Sequence, residues 1–197
     1  MQREDGMLAF QKLGFDAVDR FARDMSESVS HFLAQGGLQP LSLSIASDAF
    51  SFDLKMDPQP LSVFEARLAK EQSANPSIPG NPNWENALYA VNGGYDEMPE
   101  TLTVHGQTVR LGDTLYLATI GGEPCFGVKN AVKKAFGDKT VCFIGYTDDC
   151  AYLVDDRVLS EGGYEPGCHI EYNLKGPFCA GLDKIYTESF AASLKRL

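Results

Sequence analysis

Histidine, long apolar runs and catalytic signatures are what this sequence has least of. No run approaches the ~20 apolar residues that cross a bilayer, and the opening Met1-Gln2-Arg3-Glu4-Asp5 lacks the apolar core of a secretory signal. The sequence as written is therefore expected to carry no transmembrane segment and to be cytoplasmic. Three histidines occur, His31, His105 and His169, and none falls in a His-x-His or His-Glu-x-x-His pair, so spacing points to no histidine metal centre. Gly-x-Ser-x-Gly is absent, which removes the usual nucleophile elbow. Lys and Arg number 17 against 27 Asp and Glu, a formal charge of −10. Such a surface repels phosphate, which argues against nucleic acid and against an anionic membrane. The five cysteines are odd in number and form no Cys-x-x-Cys; with Cys142 inside Val141-Cys142-Phe143-Ile144, they read as buried reduced thiols.

What is present reads as one globular domain over residues 1–197, with apolar content of 44% and charged content of 22%. Val18, Phe21, Ala22, Met25, Val29, Phe32 and Leu33 recur at helical intervals, predicting a helix over residues 8–34 that ends at Gly36-Gly37. Leu41, Leu43 and Ile45 alternate, as do Phe50, Phe52, Leu54 and Met56. The phase slips near Ser47-Asp48, where a bulge or turn is expected. Helices follow over 61–72 and 83–91, separated by a Pro- and Gly-rich loop. Val109, Leu111, Leu115 and Leu117 then keep one alternation across Gly112-Asp113, as a two-residue hairpin turn would allow. A helix is expected over 123–136, and the apolar run 139–145 reads as a central strand covered on both faces. A helical turn over 155–161, a strand over 168–172 and a final helix over 182–197 complete the pattern. These elements predict an α/β fold in mixed α+β layers, with a mixed sheet, a buried central strand and helices packed on it.

The segment 112–165 concentrates glycines, one carboxylate and two tyrosines where strands end. Glu123 follows Gly121-Gly122 and reads either as a carboxylate favoured in the first turn of a helix or as a functional acid. Tyr152 and Tyr164 read singly as rim residues whose hydroxyls find partners. Asp148-Asp149 and Asp155-Asp156 do not follow the alternating ligand pattern of a calcium loop and suit turns and caps.

In order and spacing, Leu111-Gly112-Asp113, Gly122-Glu123-Pro124, Gly145-Tyr146-Thr147-Asp148, Tyr152-Leu153 and Gly162-Gly163-Tyr164-Glu165 resemble the neutral/alkaline (non-lysosomal) ceramidases. They are most similar to bacterial ceramidase-like proteins. The resemblance implies a zinc-dependent hydrolase acting on a linear N-acyl amide, in lipid metabolism for true ceramidases. It implies Glu123 and Tyr152 as metal ligands and Tyr164 as a catalytic donor to the tetrahedral intermediate. Gly121 stands where the family has proline, Asp148 where it tends to have asparagine, and Val154 where bacterial members often have proline. The two histidine ligands and the serine that the family carries upstream have no counterpart here. The chain is thus expected to correspond to the C-terminal half of such a catalytic domain and to be inactive alone. Zinc would bind only if another segment or chain, an N-terminal half, supplied histidines. The alternative expectation is a non-catalytic binding or assembly domain of the same fold, pairing with a second copy through the surface that the missing half would cover.

Overall fold

The computed structural model describes residues 14–36, 38, 40–42, 44–74, 80–148 and 151–197. It divides into two compact units, Met1–Pro40 and Leu41–Leu197. The first contains helix α1 (Phe15–Ala34). Gly36 follows its end at φ +69°, the left-handed conformation that terminates helices. Residues 8–13 of the expected helix, and Gly37, lie outside the described residues.

The second unit is α/β. Strands β1 (Ile45–Lys55), β2 (Thr101–Leu111), β3 (Leu115–Ile120) and β5 (Thr140–Ile144) form one mixed sheet in the order β1-β2-β3-β5. The first three run antiparallel, and β5 runs parallel to β3. Helices α2 (Leu61–Ala74) and α3 (Pro82–Tyr89) connect β1 to β2. Asn81 caps α3 by accepting from the N–H groups of Asn83 and Trp84, and Pro82 takes the first position, where a missing N–H costs nothing. A two-residue strand β4 (Glu123–Pro124) precedes helix α4 (Phe126–Phe136). It pairs in parallel with a second short strand, β6 (Tyr152–Leu153). Helices α5 (Asp156–Glu161), α6 (Tyr164–Gly167) and α7 (Leu182–Leu194) complete the unit.

One face of the sheet builds the core. Phe50, Phe52 and Leu54 on β1, Val104 on β2 and Tyr116, Ala118 and Ile120 on β3 all point to α4 and α7. The Phe190 ring of α7 meets Phe50 edge-on at 5.0 Å and Phe136 of α4 at 6.3 Å. The Phe50 ring lies over Gly106, where a Cβ would stand 2.7 Å from it, so β2 must be bare at that point. A second cluster, around Phe64, Ala87, Met98 and Ile170, holds α2 and α3.

Several expectations change. β1 runs without a bulge, in continuous register from Ile45 opposite Leu111 to Lys55 opposite Thr101. The apparent phase slip arises because Ile45 is an apolar residue on the open face, 72% exposed. Leu41 precedes the strand, and Leu43 lies outside the described residues. The hairpin turn has three residues, Gly112-Asp113-Thr114, with Leu111 opposite Leu115. The apolar run 139–145 is an edge strand, not a central one: β5 has β3 on one side only, and its alternate residues, Cys142 among them, are exposed. Segment 168–172 is a succession of turns rather than a strand. Of the described cysteines, all unpaired, Cys168 is buried and Cys125 half-buried, whereas Cys142 and Cys179 are exposed. No helix among the described residues is long and apolar enough to cross a membrane.

Candidate functional site

Beyond β3 the chain turns sharply at Gly121-Gly122 and enters β4. Gly122 adopts φ +76°, and a Cβ there would meet the Ala151 carbonyl oxygen at 2.7 Å. Only glycine allows both the backbone conformation and this close approach. The turn delivers Glu123 to a strand, not to the first turn of α4, whose N-cap is Cys125 and whose first turn holds no acid. The capping account of Glu123 therefore fails. The Glu123 N–H donates to Ala151 O at 2.8 Å, and the Cys125 N–H to Leu153 O at 2.8 Å. This short parallel ladder sets Glu123 directly beside Tyr152.

Tyr164 joins them from the start of α6. Its ring meets that of Tyr152 edge-on at 5.8 Å, and Tyr172 packs against the other side of Tyr152 at 6.0 Å. Glu123, Tyr152 and Tyr164, separated by up to 41 residues in sequence, thus gather at one edge of the unit. A shallow cleft of about 350 Å³ opens there, lined by Glu123, Cys125, Phe126, Tyr152, Arg157 and Glu165.

A fourth residue belongs to the group. Tyr146 follows β5, and its N–H donates to Gly122 O at 2.8 Å, fixing it over the turn that carries Glu123. The Glu123 carboxylate is near enough to bear on its hydroxyl. Its φ of 59° is rare for a bulky residue. The sequence places Tyr146 inside the run Gly145-Tyr146-Thr147-Asp148 but assigns it no role. Its left-handed backbone, which would mark it, is visible only in three dimensions.

Every phenol here is driven toward its neutral form. The neighbouring Glu123 carboxylate, then burial, raises the Tyr146 pKa. Burial first, and the Glu123 charge second, raise that of Tyr152. The Cys168 sulfur beside the Tyr164 hydroxyl, both as hydrogen-bond partner and as charge, with Glu171 adding to it, pushes Tyr164 up to about 12. Tyr164 also donates to Glu171 Oε2 at 3.4 Å. Burial raises the Cys125 thiol, reinforced by Glu165, Asp155 and Glu123. The edge is consequently a set of neutral O–H and S–H donors facing fixed carboxylates.

The histidines stand elsewhere. His31 lies on α1 and bonds Gln35 at 2.8 Å. His105 pairs with Asp148 at 3.0 Å. His169 meets Phe64 edge-on at 6.3 Å, and burial lowers its pKa. Neither ring nitrogen of His169 has a hydrogen-bond partner among the described residues. Among the described residues no three His, Cys, Asp or Glu side chains converge as a metal site. Glu123 and Tyr152 offer two oxygen donors where catalytic zinc takes three protein ligands and favours nitrogen. By themselves these residues do not fit zinc. Comparison of the chain with known protein families, with curated proteins and with solved structures returned no match.

Proposed function

We propose that this chain carries the carboxylate-and-phenol half of a ceramidase-like amide hydrolase site, inactive until histidine donors from another segment or chain complete it. The observation that supports this reading is the side-by-side placement of Glu123 and Tyr152 on the β4–β6 ladder, with Tyr164 edge-on to Tyr152. The substrate class is a linear N-acyl amide. In such a site Glu123 orients donors through its acceptor oxygens, Tyr146 stands beside it, and Tyr164 supplies a proton donor. A phenol held protonated to pH about 12 can give a hydrogen bond to an oxyanion without ionising at neutral pH. No step through zinc follows from this half alone.

The test is equilibrium dialysis of the purified chain against zinc, with an amide hydrolysis assay alongside. The expected outcome is no stoichiometric zinc after dialysis and no hydrolysis. Zinc retained one-to-one and lost in Glu123→Ala would show that the chain holds a complete site.

A second reading, a binding or assembly domain, is favoured by the open face of the sheet. Ile45, Leu111 and Leu115 are consecutive cross-strand neighbours on that face, as are Val109, Leu117 and Cys142. Ile144 ends the patch on β5, 39% exposed. Val109, Leu111, Leu115 and Leu117 are half-buried there, and the apolar strip they form with exposed Ile45 and Ile144 fits an interaction site, for an N-terminal half or for a second copy.

A further inference from the structure

We propose that α1 is a self-association helix whose apolar stripe pairs with the same stripe of a second copy of this chain. The proposal rests on α1 alone and is independent of the amide hydrolase reading. Phe15, Val18, Ala22, Met25, Val29 and Phe32 succeed one another at intervals of 3, 4, 3, 4 and 3 residues. That is the alternation of core positions in a left-handed helix pair, where each side chain enters a hole between four of the partner's. Phe21 and Leu33 widen the stripe on its two sides. Among the described residues of its own unit, α1 buries none of these side chains. Phe15 is 89% and Phe21 66% exposed, and Val18, Met25, Val29, Phe32 and Leu33 are each more than half exposed.

The area suffices for a specific interface. An aromatic side chain can bury 150–250 Å² and aliphatic ones somewhat less, so this stripe carries on the order of 700 Å² per copy. Two copies together would bury roughly 1,400 Å², within the range of stable protein interfaces.

Charge selects the partner. Away from the stripe α1 carries Asp16, Asp19, Asp24 and Glu27 against Arg20 and Arg23, and the whole chain is at −10. Helices that lie on anionic membranes have a basic polar face, so a lipid surface is disfavoured. The positions flanking the seam are Phe21, Ser26, Ser28, Leu33 and Gln35, all uncharged, with Asp19 the one exception. Two copies can therefore approach without a ladder of like charges, and the serines beside Met25 and Val29 leave room for close contact.

Sedimentation equilibrium of the full chain tests this. The wild type is expected to form a dimer, and Val29→Asp and Met25→Lys to weaken it at least 100-fold. Asp24→Lys, on the polar side, is expected to leave it unchanged. Trp84 fluorescence, reporting on the other unit, is expected to be the same in all four proteins, which separates lost association from lost folding. A wild type that stays monomeric to ~100 μM overturns the proposal. So does association that survives both stripe substitutions, which would place the contact on another surface such as the open sheet face. Flotation with phosphatidylserine vesicles, abolished by Val29→Asp in a monomeric chain, would assign the stripe to lipid instead.

Discussion

Tyr146 holds a left-handed backbone at a cost on the order of 1–3 kcal/mol for a bulky side chain. What it obtains is an N–H bonded to Gly122 O and a phenol beside the Glu123 carboxylate. Strain of this kind persists where surrounding structure enforces it, and here it falls next to the carboxylate that the resemblance marks. Tyr164 permits the sharpest test at this scale. A phenol whose folded pKa is raised favours the folded state fully below its ordinary value of 10.0, and that contribution disappears as pH climbs from there to about 12. The phenolate absorbance difference between the wild type and Tyr164→Phe is expected to titrate with its midpoint near 12. In Cys168→Ala the same difference should move back toward 10. A wild-type midpoint at the ordinary value would show that Cys168 and Glu171 do not bear on this hydroxyl.

At the scale of elements, the sheet depends on α7. Phe190 is fully buried, with one ring edge against Phe50 of β1 and another contact to Phe136 of α4. Phe190→Ala is expected to cost ~3–5 kcal/mol in urea unfolding, because the cavity left between a sheet and two helices cannot collapse easily. A loss under 1 kcal/mol would mean that the helix and sheet close over the gap. The helices were largely legible in the sequence. Apolar residues at intervals of three and four mark α1, and the helices expected over 61–72, 83–91 and 182–197 correspond to α2, α3 and α7, although Asn81-Pro82, which caps and opens α3, reads in sequence as loop. The strands were legible as strands but not in their neighbours. Thr140–Ile144 is as apolar as a central strand, yet its place at the edge depends on how many partners the topology grants it. Composition carries no record of that number. Glu123 was misplaced for a related reason: a carboxylate just before a helix looks like a cap, and only the return of Tyr152–Leu153 converts it into a strand residue. Its proximity to Tyr152 and Tyr164 entered through the resemblance, since spacing in the chain does not specify a meeting in space.

For the molecule as a whole, the acidic balance and the apolar face of the sheet act in opposite directions. At neutral pH a charge of −10 opposes association through the open face of the sheet. Near the sequence pI of 4.7 that repulsion vanishes while the patch around Ile45, Leu111 and Leu115 remains. Turbidity is expected to peak close to pH 4.7, and the double substitution Ile45→Lys with Ile144→Lys to lower the peak when each protein is compared at its own pI. An unchanged peak would show that the open face takes no part in association. The β4–β6 ladder has a different consequence. It is two residues long and joins segments separated by all of α4 and β5. A ladder so short is among the first features to open when the structure loosens. The carboxylate–phenol edge is therefore expected to be among the first parts of this unit to be lost. Whatever binds there recognises only the completed fold, and a molecule that has begun to unravel goes silent at this edge while its core is still intact.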